Sequence, residues 1–493
     1  MQKTVICLLL TLSLLLSLGG CGSSGPAPLP EVISGSGSFE FSSSASDSDP
    51  FNPADSGDGP GPASGSGSSS DRTPAENPSS ASGSPSSSQP PASSSGSGSI
   101  STSQSPSSSQ PPSSQSPSSQ SPSSSSQPQT PAKTVRPANE VRAVWLSYLD
   151  LGPMLTNKTE GQFRTAVRTA FTQMVDLGLN TVYAQVRPFS DALYPSQYFP
   201  QSYLFTGQEG PVGSAPFDAL QIMVEEAHRL DLAIEAWLNP YRIRATGTLG
   251  NKPIHESHPA NDFMDSGSDV VIEYDRGLFY NPGSPEARQM IVDGVREIVD
   301  HYDVDGIHFD DYFYPPDADA SFDRVTYNSA GTTKNLGDWR REQVNLLVKQ
   351  VYNAVGTGRV FGISPAGNNQ NNRNMLYCDV NYWVQNPGYV DYICPQVYFG
   401  FNNATCPYND TVRLFNNMIS AGGVQLYVGL ASYKIGDSQQ GGEWTGSPTM
   451  MQRQVEFART QSRYGGFALY RYDSIVSSSS MVRQEMQNLQ SIY

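Results

Sequence analysis

The sequence of 493 residues is poor in basic side chains, histidine and cysteine. Lys and Arg number 30 against 46 Asp and Glu, which gives a formal net charge of -16. This balance argues against a nucleic-acid partner, because a phosphate backbone is bound by a basic patch. The five histidines are scattered, and no cysteine or histidine spacing matches a zinc site. We therefore expect neither a metal nor a cofactor.

Motifs for several other chemistries are also missing. The chain has no G-x-S-x-G nucleophile elbow, no plausible order for a serine triad and no glycine-rich phosphate loop. A cysteine nucleophile would need a neighbouring histidine, and the sequence shows none. These absences argue against acyl-transfer and nucleotide-dependent enzymes.

Cysteine is scarce enough to limit disulfide pairing. Of the five cysteines, Cys7 lies in the N-terminal apolar run and Cys21 directly after it, which leaves Cys378, Cys394 and Cys406. An odd number excludes full pairing. One disulfide, which would include Cys406, and three free thiols are both compatible with an exported protein.

Long apolar segments are confined to the N-terminus. The run from Val5 to Leu18 follows a single Lys and is too short to span a bilayer comfortably, so it predicts a signal peptide over residues 1–20. Gly19 and Gly20 before Cys21 resemble a bacterial lipobox, in which that cysteine becomes lipidated. We expect Cys21 to anchor the protein at the extracellular face of the cell membrane.

Residues 21–137 are dominated by Ser, Pro, Gly and Gln. From 22 to 132 the segment carries eight acids and one Arg, a net -7, and almost no periodic apolar residues. Such a composition cannot offset its ordering entropy, so it predicts a disordered tether between anchor and catalytic domain.

The residue pattern changes at Val141, where the first of eight short runs of β-branched and aromatic residues begins. They cover 141–149, 180–188, 232–240, 304–312, 359–367, 390–399, 426–433 and 465–473. Near-continuous apolar runs are typical of strands buried on both faces of a parallel sheet. Stripes of period 3.6 between most runs predict helices, one of them with Ser284 as N-cap and Pro285 at its first position. Eight βα units over residues 138–493 predict an α/β fold, a (β/α)8 TIM barrel. An open doubly wound sheet is the alternative.

Polar side chains recur where these runs end. Active sites of such barrels gather at the C-terminal strand ends, and aromatic rings interleaved with amides and Arg suit a sugar. The candidate substrate-binding residues are Gln185, Arg187, Asp191, Asn239, Tyr241, Arg242, His308, Tyr312, Gln396, Tyr398, Tyr433 and Lys434.

The run GIHFDD supplies the candidate catalytic residues, Asp310 and Asp311. Strand periodicity turns Ile307 and Phe309 toward the helices, so His308 and Asp310 should point into the barrel mouth. Glycoside hydrolysis normally needs two carboxyl groups, and Asp310 supplies one. The second stays open between Asp311, which is either the catalytic partner or structural, and other acids. These are Asp191, Asp473, Glu443 and, more weakly, Glu235.

Several segments together resemble the glycosyl-hydrolase-like 10 family over residues 138–475. They are QVRPFSDALYPS (185–196), EAWLNPYRI (235–243), FYNPGSPEARQ (279–289), DGIHFDDYFYP (305–315), GDWRR (337–341), GISPAG (362–367), DYICPQVYF (391–399) and ASYKIG (431–436). The resemblance implies a glycosidase-like barrel that cleaves peptidoglycan glycan strands stripped of their stem peptides. It places the family's acid at Asp310 or Asp311.

The sequence thus predicts a surface-anchored glycoside hydrolase acting on cell-wall polysaccharide, with Asp310 as its main carboxylate. Two alternatives remain: a barrel that binds glycan without cleaving it, and a glycosidase of another extracellular polysaccharide.

Overall fold

The computed structural model describes residues 139–245, 253–274, 277–316 and 318–493. The signal peptide, the lipidation site at Cys21 and the Ser/Pro-rich tether fall outside these residues, so they stay predictions. Among the described residues, no helix combines the length and apolarity needed to cross a bilayer.

Eight parallel strands close into a barrel in the order β1, β11, β10, β9, β8, β7, β3, β2. They are β1 Val141–Leu146, β2 Thr181–Arg187, β3 Ala233–Leu238, β7 Gly306–Phe309, β8 Val360–Ile363, β9 Tyr392–Ile393, β10 Gln425–Leu430 and β11 Tyr464–Leu469. All eight predicted runs contribute a strand. The (β/α)8 barrel is confirmed, and the closed order excludes the doubly wound alternative.

Helices connect the strands around the outside. They are α1 Tyr148–Leu155, α2 Glu160–Asp176, α3 Ala219–His228, α4 Pro259–Asp265, α5 Pro285–His301, α6 Arg324–Ser329, α7 Leu336–Val355, α8 Asn369–Asn374, α9 Val380–Gln385, α10 Tyr408–Met418, α11 Glu443–Gly446, α12 Met450–Ala458, α13 Tyr472–Ile475 and α14 Ser480–Gln490. Two 3-10 turns, Ser432–Lys434 and Ser438–Gln440, follow β10.

The start of α5 shows how local sequence sets these boundaries. The Ser284 hydroxyl accepts the N–H of Ala287 at 3.1 Å, and Pro285 occupies the first helical position. The cap satisfies an N–H that no helical carbonyl can reach, and proline has no N–H to leave unpaired. Both predicted features of this helix are confirmed.

Strands β8 and β9 end well before their apolar runs do. The run 359–367 yields only the four residues of β8, and the run 390–399 only the two of β9. Pro365 and Pro395 follow closely, and a proline cannot donate to the ladder. Isolated bridges from Gln396 to Ala366 and to Gly429 continue the pairing beyond them.

One small sheet was not predicted. Strands β4 Arg242–Ala245, β5 Val271–Tyr274 and β6 Gly277–Tyr280 form an antiparallel sheet in the order β4, β6, β5. It begins directly after the end of β3, so it lies in the βα loop that follows the third barrel strand. Loops at this end carry active sites in such barrels.

Candidate active site

Asp310 follows the last residue of β7 and is only 2% exposed. Its Oδ2 accepts the Trp237 indole N–H at 3.0 Å, and its Oδ1 accepts the backbone N–H of Tyr312 at 3.0 Å. Strand β3 pairs with β7 so that Trp237 lies beside His308, which brings the indole under the carboxylate. These two hydrogen bonds, one to each oxygen, fix the orientation of the Asp310 carboxylate.

Two opposing effects set the charge of Asp310. Burial raises the pKa of its carboxyl, and the Arg242 guanidinium and the groups that hydrogen-bond to the carboxylate lower it. Burial outweighs them, so the net pKa is about 6, above the ordinary 3.8. The Arg242 guanidinium lies between the rings of Phe189 and Tyr312, 4.5 and 4.6 Å from their centroids. The result is a carboxyl whose pKa lies above its ordinary value, a shift that is common among functional groups in active sites.

A row of amides extends from Asp310 across the barrel mouth. The Asn239 side chain helps to lower the pKa of Asp310. Its Oδ1 accepts the Gln185 amide N–H at 2.7 Å, and Gln185 Oε1 accepts the backbone N–H of Tyr148 at 2.8 Å. This network fixes the orientation of both amides. The predicted proximity of strand ends two, three and four is therefore present in the structure.

Asp311 lies at the same strand end but faces a different neighbour. It is half-buried, and its Oδ1 accepts the Gln396 amide N–H at 2.9 Å. The same Gln396 nitrogen donates to the carbonyl of Ser364 at 3.1 Å, which ties Asp311 to the ends of β8 and β9. The structure thus keeps two carboxyl groups at the mouth, with separate hydrogen-bond partners.

A second group of predicted residues forms the rim at β9 to β11. The rings of Tyr398 and Tyr433 are 6.0 Å apart, and each packs on Tyr470. Lys434 donates to the carbonyl of Tyr398 at 3.0 Å, and burial lowers the pKa of its amine. Half-buried rings with a fixed amine beside them provide apolar faces and one donor.

Other acids considered as the second carboxyl group are engaged elsewhere. Asp191 is buried and accepts the N–H of Phe189 in its own loop at 3.0 Å. Glu443 accepts the N–H of Asn402 at 3.0 Å, and the Asp473 side chain is 71% exposed. In the described part of the chain, none of these three shares a hydrogen-bond partner with Asp310.

His308 and Glu235 occupy the interior of the barrel, below Asp310. His308 Nε2 accepts the Trp145 indole N–H at 3.2 Å, so Nδ1 carries the proton and donates to the Tyr392 hydroxyl at 2.8 Å. That hydroxyl donates to Glu235 at 2.6 Å, and the Tyr183 ring stacks on the imidazole at 4.2 Å. Burial lowers the pKa of His308 to about 3, so the ring is neutral. His308 points inward as predicted, but into this packed layer rather than the open mouth.

Arg187 points away from the mouth. Between Gln185 and Arg187 the register of β2 shifts, so that Gln185 pairs with Trp237 and Arg187 with the next residue, Leu238. This bulge reverses the inward direction that a period of two predicts for Arg187. Its guanidinium instead packs 4.3 Å from the Phe199 ring, against α5.

Tyr241 also lies away from the mouth. It is fully buried, and its ring is 6.4 Å from that of Phe313. Its carbonyl accepts the N–H of Tyr280 at 2.8 Å, which joins the end of β3 to the small sheet. Tyr241 therefore supports the loop that carries Arg242.

Some residues at the site were not predicted. Trp237 stands two positions before Asn239, so strand periodicity alone places it on the inward face. Asp150 offers no such signal, because it lies in α1 after β1 ends. Its buried carboxylate pairs with Arg471 and accepts the Ser147 hydroxyl at 2.7 Å. That pair joins the ends of the first and last strands.

Comparison with known proteins identifies the family of this chain. The family model described as "Glycosyl hydrolase-like 10" matches residues 140–445. This chain belongs to the glycosyl hydrolase-like 10 family. The matched range contains Asp310, Asp311 and seven of the eight barrel strands, while β11 and Arg471 lie beyond it.

Two curated proteins show the extent of the similarity. The chain is 38% identical over 325 residues to Glycosyl hydrolase YngK of Bacillus subtilis, covering 61% of this chain and 62% of that protein. It is 30% identical over 399 residues to Glycosyl hydrolase DigH of Escherichia coli K12, covering 73% of this chain and 89% of that protein. The chain thus spans less than two thirds of YngK.

Solved structures that align with this chain are less similar to it in sequence than these two proteins. The glycoside hydrolase domain of PgaB (BpsB) from Bordetella bronchiseptica aligns with a TM-score of 0.47 at 13% identity, covering 71% of this chain and 98% of that domain. A chitinase from Rhizomucor miehei aligns with a TM-score of 0.39 at 15% identity, covering 72% and 100%.

In this glycosyl hydrolase-like 10 chain, the GDWRR segment at the start of α7 anchors the loop after Asp311. Arg340 is fully buried and pairs with Asp323, with its Nε 3.0 Å from Oδ2. It also donates to the carbonyls of Ala318 and Asp319 at 2.9 and 2.6 Å. The Tyr314 hydroxyl donates to the same Asp323 at 2.9 Å. One side chain therefore fixes the far end of the loop that begins at the catalytic candidates.

The remaining cysteines are all free. Cys378 and Cys394 are buried, and Cys406 is half-buried. The structure therefore favours three thiols over a disulfide. Within the described residues, no group of three or more His, Cys, Asp or Glu is placed to hold a metal ion.

Proposed function

We propose that this protein is a glycoside hydrolase that cleaves cell-wall glycan of the peptidoglycan type. The observation that carries the proposal is Asp310: a buried carboxyl group at a barrel strand end, oriented by Trp237 and Tyr312, with a pKa of about 6. A carboxyl group held in this way is suited to stabilise or attack the positive centre that develops at a sugar carbon.

Asp310 acts as the ionised partner. Both of its oxygens accept N–H groups, and the Arg242 guanidinium favours its charged form. An ionised carboxylate is required of a nucleophile or a charge stabiliser. Asp311 is the acid–base partner, because it lies at the same strand end and is half-buried, within reach of solvent.

The sugar-binding surface combines oriented amides with aromatic rings. Gln185 and Asn239 present fixed amides on one side of Asp310, and Gln396 does so beside Asp311. Tyr398 and Tyr433 supply rings at the rim. Apolar walls with a few oriented polar groups are typical of small-molecule sites, and suit the alternating C–H and hydroxyl faces of a sugar.

The choice of cell-wall glycan rests on the sequence and the family. The N-terminal pattern predicts a lipid anchor at Cys21, and the Ser/Pro-rich tether gives the barrel reach from the membrane. A barrel held at the outer face of the membrane meets wall glycan. The family resemblance points to glycan strands stripped of their peptides.

Digestion of denuded glycan strands tests the proposal. Purified protein should release soluble fragments, and the Asp310→Asn variant should release at least about a hundredfold fewer, since catalytic groups contribute factors of about 10² to 10⁴. Asp338→Asn, an exposed carboxylate on α7, is the matched control and should behave as wild type. No fragments from wild type, or equal release from Asp310→Asn, would contradict the assignment. A panel of other polysaccharides separates wall glycan from a different substrate.

One observation favours a second candidate, a barrel that binds glycan without cleaving it. Asp191, Glu235, Glu443 and Asp473 are all engaged away from Asp310. Among these candidate acids, only Asp311 is left as the second carboxyl group that glycoside hydrolysis normally needs. If Asp311 is structural, the site can bind a glycan but lacks the pair that cleaves it. Isothermal titration with the same strands distinguishes the two functions. Tight binding with no fragments over a day would support the binding protein.

A further inference from the structure

A cavity of about 720 Å³ lies among the segments that follow β8 and β9. Its walls are the loop and helix after β8, around 367–374, and the loop that leads into α10, around 405–411. The volume falls within the range of about 300–1,000 Å³ that is usual for ligand pockets. Both walls belong to βα loops at the end of the barrel where Asp310 lies.

The lining of this cavity is rich in neutral amides. Five amide side chains border it: Asn368, Asn369, Gln370, Asn374 and Asn381. The side chains of Gln370 and Asn374 are exposed, and neither makes a side-chain hydrogen bond within the described part of the chain. An amide both donates and accepts, so it can bind either function of a hydroxyl or an N-acetyl group.

Each charged residue that lines the cavity pairs with an opposite charge of the protein. Arg373 pairs with Asp379 at 3.3 Å, and Asp410 pairs with Arg413 at 3.1 Å. Among the described lining residues, there is thus neither an isolated cation nor an isolated anion. The lining is therefore suited to an uncharged, hydrogen-bonding ligand rather than to a phosphate or a metal ion.

Several contacts hold the cavity wall in place. Asn372 is fully buried and bonds to both the N–H and the carbonyl of Ala366, at 2.9 and 2.8 Å. Asn369 donates to Asn381 Oδ1 at 3.0 Å, which links α8 to α9. The backbone that carries the amides is thus held in place, which reduces the entropy lost on binding.

The cavity adjoins Asp311 through two residues. Gly367, at its inner end, packs so closely on Gln396 that a Cβ would overlap the Gln396 carbonyl. The Gln396 amide in turn donates to Asp311 at 2.9 Å. Strands β7, β8 and β9 are neighbours in the barrel, with the usual spacing of about 4.8 Å between adjacent strands. The cavity therefore borders the residues that hold Asp311, on the same face of the barrel as Asp310.

We propose that this cavity is a distal glycan subsite, which binds an uncharged hydroxyl- and N-acetyl-bearing part of the strand away from the bond that is cleaved. The inference rests on the proposed function and extends it to a preference for long strands. Gln370 and Asn374 are the side chains that contact the sugar. They act in binding and take no part in bond cleavage.

Two binding measurements test the subsite, both in the full chain carrying Asp310→Asn so that the glycan is not consumed. In the first, titration with long denuded glycan strands is compared with titration with their disaccharide unit. The double substitution Gln370→Ala with Asn374→Ala should weaken binding of the long strands roughly tenfold, the effect of losing one or two hydrogen bonds. Binding of the disaccharide should not change. Gln484→Ala, an exposed amide on α14, is the matched control.

The second measurement uses Cys406 as a reporter. This thiol lines the cavity and is half-buried, whereas Cys378 and Cys394 are buried. A maleimide should label it slowly, since burial raises the pKa of the thiol. Long strands should slow the labelling further, and the disaccharide should not. The labelled peptide identifies the site by mass.

The two proposals fail in different ways. If long strands are cleaved by wild type and bound by Asp310→Asn, but neither the double substitution nor the labelling of Cys406 responds, only the subsite is refuted. If no glycan is cleaved and none is bound, the proposed function is refuted and the subsite with it.

Discussion

Replacing Asp310 by Asn should stabilise the fold while removing activity. Burial raises the pKa of this carboxyl from 3.8 to about 6, and one pKa unit corresponds to about 1.36 kcal/mol. Ionising Asp310 in the folded state therefore costs at most about 3 kcal/mol above pH 6. Asn avoids this cost but keeps only one of the two acceptor oxygens, which loses about 1 kcal/mol. The expected net gain is about 2 kcal/mol at pH 8.

The dependence on pH follows from the sign of the shift. The folded protein binds the Asp310 proton more tightly than the unfolded chain, so this group lowers stability as the pH rises from about 4 to about 6. The advantage of Asp310→Asn should be near zero at pH 4, appear over this window and stay constant above it. Urea denaturation of both proteins across pH 4–8, followed by tryptophan fluorescence, measures the difference.

Asp338 provides a control, because its pKa is shifted in the direction opposite to that of Asp310. Its pKa is lowered by a hydrogen bond from Arg341, so Asp338→Asn should bring no gain at high pH. A variant at 310 that is less stable than wild type by the same amount at every pH would refute the burial argument.

Three further substitutions test other parts of the account. Arg340→Met should lower the free energy of unfolding by about 3–5 kcal/mol in urea titrations, because it leaves Asp323 charged and unpaired; a loss under about 1 kcal/mol would show that the pair does not anchor the loop. Gly294→Ala should cost about 1–3 kcal/mol, since its Cβ would collide with Arg187; unchanged thermal stability would contradict that packing. Gln396→Glu should raise the apparent pKa of Asp311 in the pH–rate profile on glycan, because a second carboxylate would replace the amide that donates to Asp311. An unshifted profile would show that Asp311 takes no part in catalysis.

Elements with strong local signals could be predicted from sequence. Each barrel strand is an apolar run bounded by polar residues, and α5 begins at a serine followed by proline. Strand periodicity also gave Asp310 its inward direction. In these cases neighbouring residues in the chain carry the information.

Features that depend on tertiary contacts could not be predicted. The reversal of Arg187 comes from a bulge against β3, and nothing in the local residue pattern marks the extra residue. Helix α12, before the last barrel strand, was not predicted, and neither was the sheet of β4, β5 and β6. The Asp150 to Arg471 pair joins residues at opposite ends of the barrel sequence, so only closure of the barrel brings them together.

The catalytic role of Asp310 is tested by the rate of glycan cleavage by Asp310→Ala, measured with and without added azide. Removing the carboxylate should abolish release of soluble fragments from denuded glycan strands. If Asp310 is the nucleophile, azide should attack the sugar carbon in its place: a C–N bond forms, the glycosidic C–O bond breaks and the leaving oxygen takes a proton from Asp311. Part of the fragment release should then return as glycosyl azide, which mass spectrometry identifies. Without azide, the variant should lose cleavage relative to wild type assayed in parallel. A variant that cleaves at the wild-type rate without azide would contradict the catalytic role of Asp310.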